Sequence, residues 1–294
     1  MAGAAPAIRT GRLTGTRAAN RRTWTDRIMR TVAAVAAVAC VVPLAAVLIF
    51  VTLNGIMAFN LDLITKGPKA LGIGGGAANA ILGTFQMVPL ASLIAIPTGI
   101  LGAVYIGEFA GRRSARIIRF AADVMVGVPS ILVGIFVFTF LVLPFKQYNA
   151  FAGSVALAVI MIPIVLRTTE ETLRLVPGAL REAALALGVP VWRTVLSVVL
   201  RTGLTGILTG SMLAFARAIG ESAPLLFTAL GSRLINVGNF AQPMDALPLF
   251  IYRNATQPNA ALNQQAWGVA FLLMVIVLVI NVAVRARSAG RRVG

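Results

Sequence analysis

Arg217 and Glu221 stand four residues apart in a long apolar stretch, a spacing that puts both on one face of a helix. Insertion scales put an arginine at the centre of a membrane helix at about 2.5 to 3.5 kcal/mol, so such a pair needs a reason. Two readings are open. One is a structural ion pair buried in a bundle. The other is a guanidinium presented to an oxyanion, since its planar fork matches oxyanion geometry and stays charged at any physiological pH. In that reading Glu221 neutralises Arg217 while the site is empty and yields when the anion arrives.

A second constellation is Glu182-Ala183-Ala184 followed by Gly188. Pro177 suits the first turn of a helix, and Gly188 with Pro190 is a stop signal, so one short helix is predicted over 177–187. Small Ala183 and Ala184 permit close approach of another surface, and Glu182 offers it a carboxylate. Docking is the chemistry this suits; an ordinary loop helix is the alternative.

Several chemistries are excluded. No Gly-x-x-x-x-Gly-Lys-Ser/Thr occurs, and the glycine run at 72–76 is followed by no lysine, so it reads as a flexible linker. The chain has no histidine and a single cysteine, Cys40, which removes His-based metal sites, Ser-His-Asp catalysis and a disulfide framework. No catalytic or metal-ligating residue is assigned.

The elements that must position these residues are membrane spans. At 58% hydrophobic, 12% charged and mean hydropathy +0.88, the 294 residues do not suit a water-facing surface. Spans are predicted at 31–53, 79–107 with kinks at Pro89 and Pro97, 117–143, 154–166, 202–231 and 266–284. Gly203, Gly206 and Gly210 give the fifth a small-residue face for helix packing. Residues 1–30 carry seven arginines without apolar period and are expected as a disordered basic tail. Residues 54–78, 144–153 and 232–264 form the outside excursions. Asp123 and Glu108 fall near inner boundaries, where snorkelling or capping accounts for them, and Glu170 with Glu171 is expected on a solvated lead-in to the short helix.

The net charge of +17 would suggest nucleic acid in a soluble chain, but these basic runs lack interleaved aromatics and adjoin spans. Of 26 Lys and Arg, 20 fall in the tail, the first inside turn, the 167–201 loop and the C-terminus, and five in the outside segments. This asymmetry places both termini and the 167–201 loop in the cytoplasm.

Glu182-Ala183-Ala184, Gly188, Val198 and Leu200 resemble the cytoplasmic loop of the membrane-spanning subunits of bacterial ABC importers. That loop reads Glu-Ala-Ala, three residues, Gly, nine residues, then Ile-x-Leu-Pro; Arg201 stands here in place of the proline. The segment from Ala216 to Leu226 is similar to that of phosphate importer permeases of the PstA type, and the resemblance runs through 79–284. It implies an all-α, polytopic bundle of six transmembrane helices with a MetI-like permease core at 79–284, a peripheral first helix at 31–53 and a coupling region at 167–201. It further implies Arg217, Glu221 and Arg167 on a phosphate path, Arg167 being equally readable as a topology-setting arginine. Glu182, Ala183, Ala184 and Gly188 would meet the ATPase.

By the same resemblance, the partners are a homologous second permease, two cytoplasmic ABC ATPases that bind the ATP and Mg, and an extracytoplasmic phosphate-binding protein. The chain itself would hold no cofactor and catalyse no bond change, in a bacterial plasma membrane. Another oxyanion such as sulfate or molybdate is an alternative cargo. An ion-coupled secondary transporter is an alternative class, although no internal repeat supports it.

Overall fold

Only a helix satisfies its own backbone in lipid, so apolar runs of this length become helices. In the computed structural model, which describes residues 16–70 and 72–290, they do. The order is α1 (Thr16–Ala58), α2 (Leu61–Thr65), α3 (Ala78–Val104), α4 (Arg112–Gly127), α5 (Ser130–Val137) and α6 (Ala150–Arg174). There follow α7 (Gly178–Ala186), α8 (Val191–Thr194), α9 (Leu200–Ile219), α10 (Ala223–Thr228), α11 (Leu247–Ala255) and α12 (Ala260–Gly290). π-Helical turns at Tyr105–Phe109, Phe138–Val142 and Val195–Val199 extend α3 and α5 and join α8 to α9. The described residues contain no strand beyond an isolated bridge between Leu230 and Met244.

Five stretches are long and apolar enough to cross a membrane: Thr23–Ala58, Ala78–Phe109, Ala150–Arg174, Val191–Ile219 and Ala260–Ala283. A sixth exists if α4 and α5 are one broken span, bent by 104°. The span expected over 117–143 is thus broken between Gly127 and Ser130. Proline disfavours helical backbone in the residue before it, and Val128 (ψ 130°) ahead of Pro129 is extended. Arg112, Arg113, Arg116 and Arg119, expected in a turn, lie on α4.

The chain divides into two units after Phe50. In the first, α1 begins at Thr16, so residues 16–30, expected as disordered tail, are helical; residues 1–15 lie outside the described residues. From 23 to 44 this helix is exposed on every side, as a lipid-facing helix requires.

In the second unit α6 is the central helix, packed most extensively on α3 and next on α9. Asn149 starts it by accepting the Ala152 N–H at 2.7 Å. Glycines let the backbones approach: a Cβ on Gly99 of α3 would lie 2.7 Å from the Val165 Cβ of α6. The glycine face predicted for α9 is used, with Gly206 and Gly210 against Thr172 and Thr168. Met87, Leu157, Met161, Leu225 and Leu249 fill the core between α3, α6, α10 and α11. Since Leu249 and Phe250 are fully buried, the expected outside excursion at 232–264 includes a helix, α11, that belongs to the bundle.

Candidate functional site

The span expected over 202–231 stops earlier, at Ile219, with Gly220 as its C-cap. Arg217 is thus in the last turn of α9, and Glu221 follows the helix rather than sharing a continuous face with it. Their Nε and Oε1 atoms are 3.5 Å apart, with the side chains 48% and 18% exposed. That separation exceeds the roughly 2.7–2.9 Å of a charge-assisted hydrogen bond, which leaves the guanidinium with donor capacity. Arg217 borders a cavity of about 60 Å³ with Met125, Val128, Ser130, Val159 and Ile164. Its walls come from both halves of the broken α4–α5 span, α6 and α9.

Arg167 is held differently. Its Nε donates to Asp123 Oδ1 at 2.7 Å, its Nη2 also binds the Asp123 carboxylate, and its Nη1 donates to Glu170 Oε2 at 3.2 Å. Glu170 is not on a solvated lead-in: its side chain is 1% exposed. It also accepts from Arg119 Nε at 2.5 Å and Arg174 Nη2 at 2.7 Å. Three guanidinium groups offset the desolvation of one carboxylate. Sequence reasoning missed this centre, although Arg167, Glu170 and Arg174 carry its signal in their spacing of three and four. Asp123, expected to snorkel or cap, is a partner of Arg167.

At the loop end, α7 runs Gly178–Ala186 with Pro177 as its N-cap, close to the predicted 177–187. Gly188 N–H donates to Leu185 O at 2.9 Å and Val189 N–H to Ala184 O at 3.1 Å, the paired bonds of a Schellman stop. Gly188 has φ +80° and open space around the position of a Cβ, so glycine is needed there for conformation rather than packing. Glu182, Ala183 and Gly188 are exposed, whereas Ala184 is turned inward, so close approach by a partner is open at Ala183 and not at Ala184. Leu175, Leu180, Leu185, Leu187 and Trp192 add an exposed apolar rim, the composition of an interaction surface.

The opposite end is tied down by Asp245. Its fully buried carboxylate pairs with Arg253 of α11, and its Oδ2 accepts from Asn79 Nδ2 of α3 at 3.1 Å. Burial pushes its pKa from 3.8 up to about 6 against the opposing pull of Arg253. Nearby, Gly72 O and Gly75 O both accept from Gln265 Nε2, so the glycine run expected as a flexible linker is pinned to α12.

A multi-span bundle with one broken span, a capped loop helix at one end and a half-exposed arginine beside a small cavity is the build of a membrane transport subunit. The profile of the binding-protein-dependent transport system inner membrane component matches residues 95–292. The chain is 40% identical over 242 residues to the phosphate transport system permease protein PstA of Yersinia pestis, covering 81% of each. With PstA of Haemophilus influenzae it shares 42% over 234 residues, which is 79% of this chain and 82% of the other. It is similar in fold to the MetNI methionine ABC transporter solved in inward facing conformations. The TM-score is 0.55 at 20% identity, over 73% of this chain and 94% of that one. The chain belongs to the binding-protein-dependent transport system inner membrane components and, within them, to the PstA-type permeases.

Proposed function

We propose that this chain is a permease subunit of an ATP-driven phosphate importer, and that Arg217 binds the anion in transit. The observation that carries this reading is the Arg217 guanidinium, bordering a cleft with donors its neighbour Glu221 does not use up. A carboxylate beside it can accept a hydrogen bond from the proton that phosphate retains and sulfate lacks, so Glu221 favours phosphate. Arg167, engaged with Asp123 and Glu170, joins the path only when an anion displaces one of those carboxylates.

The remaining assignments follow from the same reading. A homologous permease completes the path, an extracytoplasmic phosphate-binding protein delivers the anion, and two cytoplasmic ATPases bind ATP and Mg. This chain performs no bond-breaking step and holds no cofactor. Glu182, Ala183 and Gly188 of the α7 region meet the ATPase, with Ala184 setting the helix on its support. Both termini lie in the cytoplasm, in keeping with the charge asymmetry. Alternating access is a rigid-body movement of helix groups around the site.

Reconstitution tests this directly. Proteoliposomes containing the assembled complex should accumulate phosphate only with ATP inside the ATPase compartment and the binding protein on the other side. Accumulation that persists without the ATPase subunits, driven by an ion gradient, would overturn the reading in favour of a secondary transporter.

A further inference from the structure

Every residue of α7 except Arg181 and Ala184 is exposed, so the helix is tied inward at two points, one apolar and one charged. The charged point reaches furthest. Arg181 Nη2 donates to Glu108 Oε1 at 2.9 Å and to Leu173 O at 2.9 Å, and Nη1 donates to Val176 O at 3.0 Å. Glu108, expected to snorkel or cap, lies in the π-helical turn that ends the α3 span. Leu173 is in the last turn of α6, and Val176 is just beyond it. One guanidinium therefore gathers the ends of the two helices that form the most extensive pair in the bundle.

The chemistry makes this a stiff joint. The C-terminus of α6 presents orphan carbonyls and the negative end of the helix dipole, which favours a cation there. Glu108 adds a full negative charge, with its side chain 13% exposed and that of Arg181 26%. An ion pair so shielded from water is screened weakly by salt. The planar fork spans two carbonyls and a carboxylate at once, which a single ammonium cannot match in direction. Arg181 thus links α7 to the ends of the α3 span and of α6.

We infer that Arg181 is the positioning residue through which movement of α7 is passed to the α3–α6 pair, while its sequence neighbour Glu182 faces the partner. The inference rests on the reading of α7 as the surface that meets the ATPase. It assigns the two adjacent residues opposite tasks: Glu182 holds the outside and Arg181 transmits inward.

The test uses the whole complex in proteoliposomes and reads phosphate accumulated per ATP hydrolysed, with ATPase co-purification recorded for each variant. A merely structural loss lowers uptake and hydrolysis together and leaves their ratio alone. Arg181→Gln, which removes the charge, should lower that ratio by about tenfold, the scale of one lost charged hydrogen bond, with ATPase subunits still attached. Glu108→Gln should lower it too, and the double variant no further than Arg181→Gln alone. An assembled Arg181→Gln complex whose ratio stays within about twofold of the unaltered one, a change below that of one hydrogen bond, overturns the inference. Should that variant fail to assemble, Glu108→Gln decides by the same criterion. A separate cross-linking arm carries the underlying reading: Ala183→Cys should cross-link to the ATPase subunit. Absence of that cross-link removes the docking role of α7 and this inference with it, whatever the coupling ratios.

Discussion

Gly206 of α9 lies against Thr172 of α6 so closely that a Cβ would sit 2.5 Å from Thr172 Cγ2 and 2.6 Å from its Oγ1. Thr172 cannot easily turn away, because its Oγ1 donates to Thr168 O at 2.7 Å and its β-branched side chain is restricted at χ1. Gly206→Ala should therefore destabilise the permease by about 1 to 3 kcal/mol, the range for overpacking a close contact. Adding Thr172→Ala removes both close atoms and leaves the Thr172 Cβ at 3.1 Å, so the double variant should recover much of the loss. Thermal unfolding in detergent reads both. A Gly206→Ala protein as stable as its parent would show that the two helices part at no cost.

Glu170 should be the most sensitive charged position of the bundle. With Arg119, Arg167 and Arg174 converging on a carboxylate 1% exposed, Glu170→Ala leaves three guanidinium groups without their common partner. Losing one side of a buried ion pair costs about 3 to 5 kcal/mol. Arg174→Ala, which removes a largely exposed partner, should cost at most about 1 kcal/mol. Equal melting temperatures for the two variants would contradict the burial of Glu170.

Asp245 supplies a pH signature. Its folded pKa of about 6 lies above the ordinary 3.8, so the folded protein holds the proton more tightly than the unfolded chain does. That stabilisation is complete below 3.8 and is lost as pH rises to about 6, a change on the order of 3 kcal/mol over the window. Arg253, Asn79 and the Ala246 N–H face the carboxylate and oppose the shift. Asp245→Asn should flatten the stability profile across this window, and Arg253→Ala should extend the window upward. A profile unchanged by Asp245→Asn would assign the pH dependence to other groups.

Arg217 is the residue on which phosphate uptake should turn. Arg217→Gln removes the charge and should abolish most phosphate uptake by assembled complexes. Arg217→Lys should restore little, because a point charge lacks the two-pronged geometry that suits an oxyanion. Near-normal uptake by Arg217→Gln would return the Arg217 and Glu221 pair to a purely structural ion pair.

Local chemistry was the part most legible in the sequence. The Pro177 start and Gly188 stop define α7 from caps alone, and the apolar runs locate the spans because lipid leaves helices no competitor. Breaks inside apolar sequence were harder to read. Val128-Pro129 interrupts an apolar run that continues on both sides, Gly220 ends α9 inside a stretch read as one span, and hydropathy carries no information on backbone direction. Pairings between distant residues were hidden altogether. Arg119 reaches Glu170 across 51 positions and Arg181 reaches Glu108 across 73, so one carboxylate read as solvated and one read as snorkelling or capping are ion-pair centres of the loop end.

The π-helical turn at Tyr105–Phe109 sets an angular phase. It holds one residue more than an α-helical turn would, and each residue of an α-helix advances the side chains by about 100°. Loss of a single residue there, for which Gly107 has open space around it, would leave the lipid-facing surface of α3 untouched. It would also tighten the turn that carries Glu108 and shift that carboxylate relative to Arg181. The contact of the α3 span with the loop helix therefore depends on the length of this turn as well as on the residues in it. Relatives that gain or lose this residue would be re-geared without any change in their membrane spans.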